Sequence, residues 1–274
     1  PSNLELLEGQ TPLSAAAMNG DEKTAALLLE KGADIKWREK RGMGPLHQAA
    51  GVDQSKVIRF LVGKGADVNA RVGTDSSKAL QAKLDLQEFA PEPEYHPAQR
   101  FLGCTPLHAA ALEDAVETVR TLLELGADVN AANAQSVTPL HFAVIWGYDD
   151  VAALLIEHGA NVHAQTVSGF TPLHWAALPG ADFGRPEKPK VACIKLLLEK
   201  GVMLDTLDKQ QRTPLYTAVK NAFSPADQPE IPTAEALIKA GADPDVKTSA
   251  GDSARTLARK VGRPNLFDEV KPTK

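Results

Sequence analysis

The stretch Thr105-Pro106-Leu107-His108 decides the fold, because the same four residue types return at 138–141 and again at 171–174, each time 33 residues later. Related tetrapeptides stand at residues 11–14, 44–47, 213–216 and, in a more divergent form, 253–256. A fixed period of this length predicts a chain built from repeated structural units.

A second phrase follows the tetrapeptide in each of the first six units. Gly-Ala-Asp-Val-Asn occurs at 65–69 and 126–130, and in the first four units its glycine lies 21 residues after the first residue of the tetrapeptide. Close variants stand at 32–36, 159–163, 201–205 and 241–245. Two phrases in constant order and register predict one local structure for all units.

The unit that starts at Thr138 shows what this local structure is. Thr138 is a favourable N-cap and Pro139 suits the first helical position, where its missing N–H costs nothing. A short apolar face ends at Gly147, and a second apolar helix ends at Gly159, because glycine readily adopts a left-handed C-cap. The apolar positions are Leu140, Ala143 and Val144, then Val151, Leu154, Leu155 and Ile156. One helix pair cannot bury both faces, so the units are predicted to stack.

Together the two phrases resemble the ankyrin repeat over nearly the whole chain. The resemblance implies an all-α solenoid of about seven helix-turn-helix repeats with β-hairpin-like fingers, in a single domain spanning residues 1–274. The repeats are expected to start near residues 9, 42, 103, 136, 169, 211 and 251.

Three insertions break the period. The spacing from Gly44 to Thr105 is 61 residues, which exceeds one period by 28 and predicts an insertion in the finger at 71–104. Shorter insertions are predicted in the turns between the two helices of repeats five and six, at 179–190 and 224–232. In the last repeat Arg255 replaces the usual leucine, which predicts a polar C-terminal cap.

Composition limits the function classes. The chain is 43% hydrophobic and 24% charged, enough for a continuous core, and its net charge of -5 argues against a nucleic acid partner. Cys104 and Cys193 have no metal-ligand or disulfide spacing, so they are expected to be free thiols, which favours a cytoplasmic address. No apolar run is long enough to span a membrane. Because the chain starts at Pro1, we expect a processed product or a fragment.

Four histidines, His47, His108, His141 and His174, recur once per repeat. Neighbouring helices pack about 10 Å apart, too far for shared coordination of a metal at about 2 Å. The resemblance implies instead that each histidine bridges neighbouring repeats by hydrogen bonds. With no phosphate-binding loop, nucleophile elbow or zinc-protease motif, we predict no enzyme activity, no cofactor and no metal.

The resemblance implies partner binding on a concave face made by fingers and first helices. At those positions repeats three to five carry an apolar set, expected to be exposed and to form the core of an interface. The members expected to be exposed are Phe101, Leu112, Val137, Ile145, Trp146, Phe170 and Leu178, and Phe142 is expected to lie beneath them. Alternatively, the finger insertion covers them and makes them internal core.

The first finger adds Trp37, Arg38 and Arg41 within a run of four basic residues. This run is suited to an acidic peptide or a phosphate group, although a solvated loop tip has the same composition. The sequence thus predicts a monomeric scaffold or inhibitor that binds another protein or peptide, possibly acidic and apolar. The alternative is a ligand-binding or catalytic protein with a pocket walled by the 71–104 insertion.

Overall fold

The computed structural model describes residues 10–39, 42–73, 102–178, 190–221 and 232–272. In these ranges the chain forms α-helices and no β-strand. In chain order the helices are α1 Pro12–Met18, α2 Glu22–Glu30, α3 Pro45–Ala50, α4 Ser55–Gly63, α5 Pro106–Leu112, α6 Val116–Glu124, α7 Pro139–Ile145, α8 Asp149–Glu157, α9 Pro172–Ala176, α10 Val191–Glu199, α11 Pro214–Asn221, α12 Pro232–Lys239, α13 Ala254–Lys260 and α14 Leu266–Glu269.

Each tetrapeptide begins the first helix of its repeat, as predicted. Six of these helices start at the proline of the tetrapeptide and the seventh starts at Ala254. The Thr11 hydroxyl accepts the backbone N–H of Ser14 at 3.1 Å, and the Ser253 hydroxyl accepts that of Thr256 at 3.3 Å. At these two positions the side chain before the helix therefore satisfies a backbone donor that the helix itself leaves free.

The glycine of the second phrase ends each second helix. Gly126, for example, follows α6 with a φ of 87°, a left-handed conformation that is cheap only for glycine. The backbone N–H of Ala127 then bonds the carbonyl of Leu122 at 2.9 Å, which closes the helix end.

The chain divides into two compact units, Pro1–Pro139 with Glu157–Ala160, and Leu140–Ile156 with Asn161–Lys274. In the first unit, α3 lies between α1 and α5 in a layer of first helices, and α4 lies between α2 and α6 in a layer of second helices. The core between the layers contains fully buried leucines such as Leu61, Leu107 and Leu122.

The second unit repeats this arrangement. Here α11 packs against both α9 and α13, and α10 packs against α12. Leu173, Ile194, Leu197 and Leu215 are fully buried between the helices. Both units therefore bury the one apolar stripe that each short helix carries.

Hairpin-like fingers connect the repeats. In the finger at 133–137 the N–H of Asn133 bonds the carbonyl of Val137 at 2.9 Å, and the same bond between positions four apart closes the other complete fingers. In the interrupted finger, Val72 and Cys104 form this pair, with the N–H of Val72 2.9 Å from the carbonyl of Cys104. The finger is thus closed as though the 28 residues at 74–101 were absent from its register.

Residues 74–101 themselves lie outside the described residues. The same is true of 179–189 and 222–231, which cover nearly all of the two shorter predicted insertions. In the parts of the chain that are described, no helix combines the length and the apolar character needed to cross a bilayer.

Arg255 occupies the predicted C-terminal cap. Its Nε lies 2.8 and 3.1 Å from the two carboxylate oxygens of Asp245, and its guanidinium carbon lies 5.1 Å from the centre of the Phe267 ring. The arginine of α13 therefore joins the preceding finger to α14 instead of packing against a further repeat.

Candidate partner-binding surface

The tetrapeptide histidines form hydrogen-bonded rungs between successive repeats. The backbone N–H of Thr105 donates to Nδ1 of His108 at 3.1 Å. Nδ1 is therefore the acceptor, and the protonated Nε2 donates to the carbonyl of Val137, 3.0 Å away in the next finger. The ring thus ties the start of its own helix to the following repeat.

The other three rungs have the same form. Nε2 of His47 lies 3.2 Å from the carbonyl of Cys104, that of His141 lies 3.3 Å from the carbonyl of Phe170, and that of His174 lies 3.0 Å from the carbonyl of Arg212. The predicted bridging role is confirmed. Burial lowers the pKa of His47, His108 and His174 to about 4, so these rings are neutral at pH 7.

Side chains inside the fingers fix the finger backbone. Oδ1 of Asn133 accepts the N–H groups of Gln135 and Val137, both at 2.9 Å. In a later finger Oδ1 of Asp208 accepts the N–H of Arg212 at 2.7 Å, and Oδ2 accepts Nε of the same arginine at 2.6 Å. The fingers are therefore held by their own polar groups and do not depend on a ligand for their shape.

Fingers within each unit also bond to one another. In the first unit the N–H of Ala134 donates to the carbonyl of Leu102 at 2.9 Å. In the second unit Lys209 donates to Ser168 at 3.0 Å and Ser249 donates to Gln210 at 3.1 Å. A regular finger spacing follows, with the tips of neighbouring fingers held in register.

The apolar set predicted to be exposed is mostly buried. Exposure is at most 6% for Val137, Phe142, Ile145, Trp146, Phe170 and Leu178. The prediction that five of these side chains are exposed is therefore wrong, whereas Phe142 was expected to lie beneath the surface and is buried. Leu112 is half-buried, and Phe101 lies outside the described residues.

Aromatic packing accounts for part of this burial. The ring of Phe142 meets that of Trp175 edge-on, with centroids 5.9 Å apart. Phe170 stacks on His174 at 5.2 Å and lies under the guanidinium of Arg212 at 4.9 Å. The sequence pattern assigns these residues to fingers and first helices. It does not show that the large side chains of neighbouring repeats pack against one another.

The basic first finger is partly described. Trp37 and Arg38 are half-buried, and Arg41 lies outside the described residues. Nη1 of Arg38 donates to the carbonyls of Lys36 at 2.9 Å and of Trp37 at 3.1 Å. The arginine is thus held against its own finger, whereas a mobile loop tip would leave it free.

A cleft of about 400 Å³ lies between the first two fingers of the first unit. Lys36 and Arg38 of the first finger and Arg71 of the second are its cationic lining, and Asp67 is its acidic lining residue. Sequence analysis missed Arg71, whereas Lys36 belongs to the predicted basic run of the first finger. The available signal was the spacing of Arg38 and Arg71, which is one period of 33 residues.

Among the described residues, no group of three or more His, Cys, Asp and Glu side chains is placed to hold a metal ion. The wall proposed for an alternative ligand or catalytic pocket, the finger insertion, lies for the most part outside those residues.

Comparisons with known proteins agree with the repeat structure. A family model described as ankyrin repeats (3 copies) matches residues 1–72, 86–166, 131–185 and 164–248. The crystal structure of the human ASB11 ankyrin repeat domain is similar in fold, with a TM-score of 0.70 and 22% sequence identity, covering 96% of this chain and 98% of that one. No curated protein sequence matches the chain.

Proposed function

Because the chain belongs to the ankyrin-repeat family, we propose that it binds a partner protein or peptide through its fingers and first helices, as a monomeric scaffold or inhibitor. Ankyrin-repeat domains are in general protein-interaction modules, and their fold is typically a non-enzymatic binding scaffold. The observation that carries the proposal is the set of fingers whose backbone is already fixed by internal hydrogen bonds.

A surface that is ordered before binding loses little conformational entropy when a partner arrives. The bonds from Asn133 and Asp208 to their own fingers supply this order, and so do the backbone bonds from finger to finger. The buried histidine rungs hold the first helices behind the fingers. Specificity then depends on the side chains that the fingers and first helices leave in contact with solvent.

Three of the side chains singled out from the sequence keep exposed surface, namely Trp37, Arg38 and Leu112. We infer that these contact the partner directly, and that the six buried members of the apolar set support the surface from beneath. Trp and Arg are enriched among residues that contribute most to binding. An apolar and cationic surface of this kind favours a partner segment that combines apolar and acidic side chains.

The test needs a partner, obtained by affinity capture from the native source and identified by mass spectrometry, and then purified. Calorimetric titration compares the double variant Arg38→Ala/Leu112→Ala with a matched pair on second helices, Leu27→Ala/Arg120→Ala. Leu27 is 54% exposed on α2 and Arg120 is exposed on α6. We expect the first pair to weaken binding at least tenfold, about 1.4 kcal/mol, and the second to leave it unchanged.

Both double variants replace one leucine and one arginine by alanine, so the atoms and the charge that they remove are the same. If the second-helix pair weakened binding and the finger pair did not, the partner would bind the opposite surface and the proposal would be wrong.

A further inference from the structure

We infer that the cleft between the first two fingers binds carboxylate side chains of an acidic segment in the partner protein, an inference that rests on the proposed function. Only this acidic segment of the partner is proposed to enter the cleft. The cleft would supply the charge recognition, and the remaining finger surface would supply apolar contacts.

Two arginines occupy the same position of consecutive fingers. Arg38 and Arg71 each directly precede the residue whose N–H closes its finger, Glu39 and Val72 respectively. The corresponding positions in the later fingers carry Ala132, Gln165, Leu207 and Lys247. A pair of neighbouring arginines at this position is therefore specific to the first two fingers.

Backbone carbonyl groups hold both guanidinium groups in place. Nη1 of Arg38 bonds the carbonyls of Lys36 and Trp37, and Nη1 of Arg71 bonds those of Gly103 at 3.2 Å and Ala132 at 2.6 Å. Each guanidinium has further N–H donors besides Nη1. These donors have no acceptor among the described residues, so they are available to an incoming oxyanion.

Among the residues that the structure describes, no carboxylate forms an ion pair with the cations of the cleft. Lys36, Arg38 and Arg71 form no ion pair with any described residue, whereas Arg212 and Arg255 each bond a carboxylate, at 2.6 and 2.8 Å. Asp67, the acidic group of the lining, directs Oδ1 to the backbone N–H of Asn69 at 2.9 Å. His47 at the floor is neutral at pH 7, because burial lowers its pKa to about 4. The cleft therefore has excess positive charge in a chain whose net charge is -5.

Gly44 provides the space for Arg38. Five of the other six repeats have threonine at this position of the tetrapeptide. A Cβ atom at Gly44 would lie 2.4 Å from Nη1 of Arg38 and 3.1 Å from the carbonyl oxygen of Trp37. The departure from the repeat pattern thus has a physical consequence, since it allows the guanidinium to lie over the start of α3.

A protein segment fits this cleft better than a nucleic acid does. The apolar residues Ile35, Leu46, Ala66 and Ala70 line the same cleft as the cations. Phe, Tyr and Trp are absent from its described lining, so it offers no ring on which a base could stack. Carboxylates beside small apolar side chains match both the cationic and the apolar residues of this lining.

The probe is a fluorescein-labelled peptide, Gly-Leu-Glu-Glu-Leu-Glu-Gly, titrated with the full chain by fluorescence anisotropy. We expect saturable binding that weakens at least tenfold in Arg38→Gln/Arg71→Gln. A matched variant, Arg120→Gln/Arg259→Gln, has the same net charge and should bind as the unaltered chain does. The variant Gly44→Thr, which restores the repeat pattern and displaces Arg38, should also weaken binding.

Three results would overturn the inference. They are the absence of saturable binding at millimolar peptide, an equal loss in both arginine variants, and tighter binding of a ten-nucleotide RNA than of the peptide. Circular dichroism of each variant separates loss of binding from loss of folding. If a captured partner binds Arg38→Gln/Arg71→Gln as tightly as the unaltered chain, the cleft assignment fails while the proposed function stands.

Discussion

A buried histidine that accepts one backbone hydrogen bond and donates another has no place for a second proton. At the scale of single residues, this makes the stability of the chain depend on pH. Burial lowers the pKa of His47, His108 and His174 from about 6.5 to about 4. Between these values the unfolded chain binds more protons than the folded one, so the free energy of unfolding falls as the pH falls.

We expect that decrease to begin below pH 6.5 and to stop near pH 4, with a slope of at most about 1.4 kcal/mol per pH unit for each histidine. Urea unfolding between pH 7.5 and 4.5 measures it. His108→Gln should lower stability at pH 7.5 and flatten the slope, because it removes one buried neutral imidazole. An unchanged slope in His108→Gln would contradict the assignment.

A second residue-scale prediction concerns finger geometry. Gln211 is exposed and has a φ of 58°, at a position where another finger has Gly169 with a φ of 83°. Left-handed strain of about 1–2 kcal/mol exceeds the extra unfolded-state entropy of glycine, about 0.5–1 kcal/mol. Gln211→Gly should therefore raise the free energy of unfolding by about 0.5 kcal/mol in urea titrations.

The reverse substitution is the control for that prediction. Gly169→Ala should lower the free energy of unfolding by about 1–3 kcal/mol. Its Cβ would add a clash to the strain, because it would lie 2.9 Å from the backbone nitrogen of Lys209. Equal stability of the two variants and the unaltered chain would mean that φ at this position carries no cost.

At the scale of elements, the interrupted finger keeps the hydrogen-bond register of the uninterrupted fingers despite its insertion. Val72 pairs with Cys104, and Leu102 accepts the N–H of Ala134, as the equivalent residues do in uninterrupted fingers. Deleting 74–101 restores the 33-residue spacing from Gly44 to Thr105. Because a shorter loop costs less entropy to close, we expect unfolding free energy to stay constant or to rise by about 1–2 kcal/mol.

A deletion only two residues longer, 72–101, provides the control for this experiment. It removes Val72 and with it both backbone bonds to the far side of the finger. Thermal unfolding of the two deletions should therefore differ, with the longer deletion less stable. If both melted alike, the pairing of Val72 with Cys104 would contribute nothing to the fold.

The helices and fingers also show which structural features can be predicted from the sequence. The caps, the helix starts and the helix-ending glycines follow from local chemistry, so the tetrapeptide and the glycine phrase predicted them. Burial of Trp146 and Phe170 depends on side chains that are distant in sequence, and no local pattern predicted it. The equivalence of Arg38 and Arg71 was visible in the sequence as a spacing of one period, but the backbone carbonyl groups that hold both guanidinium groups were not.

At the scale of the whole molecule, stability in a repeat fold depends on neighbours, because each repeat contacts only the next. In the second unit α11 packs against α9, α12 and α13. By contrast, α14 has four residues, of which Leu266 is the buried one. Local opening therefore requires less free energy towards α14 than at α11.

Amide hydrogen exchange followed by mass spectrometry should show this gradient, with protection decreasing from α11 to α13 and then to α14. Leu266→Ala should speed exchange in α14 and α13, since it removes the side chain that anchors the last helix, and should leave α9 unchanged. Exchange in α14 as slow as in α11 would show that the second unit unfolds as one cooperative body, and the neighbour argument would then not apply to it.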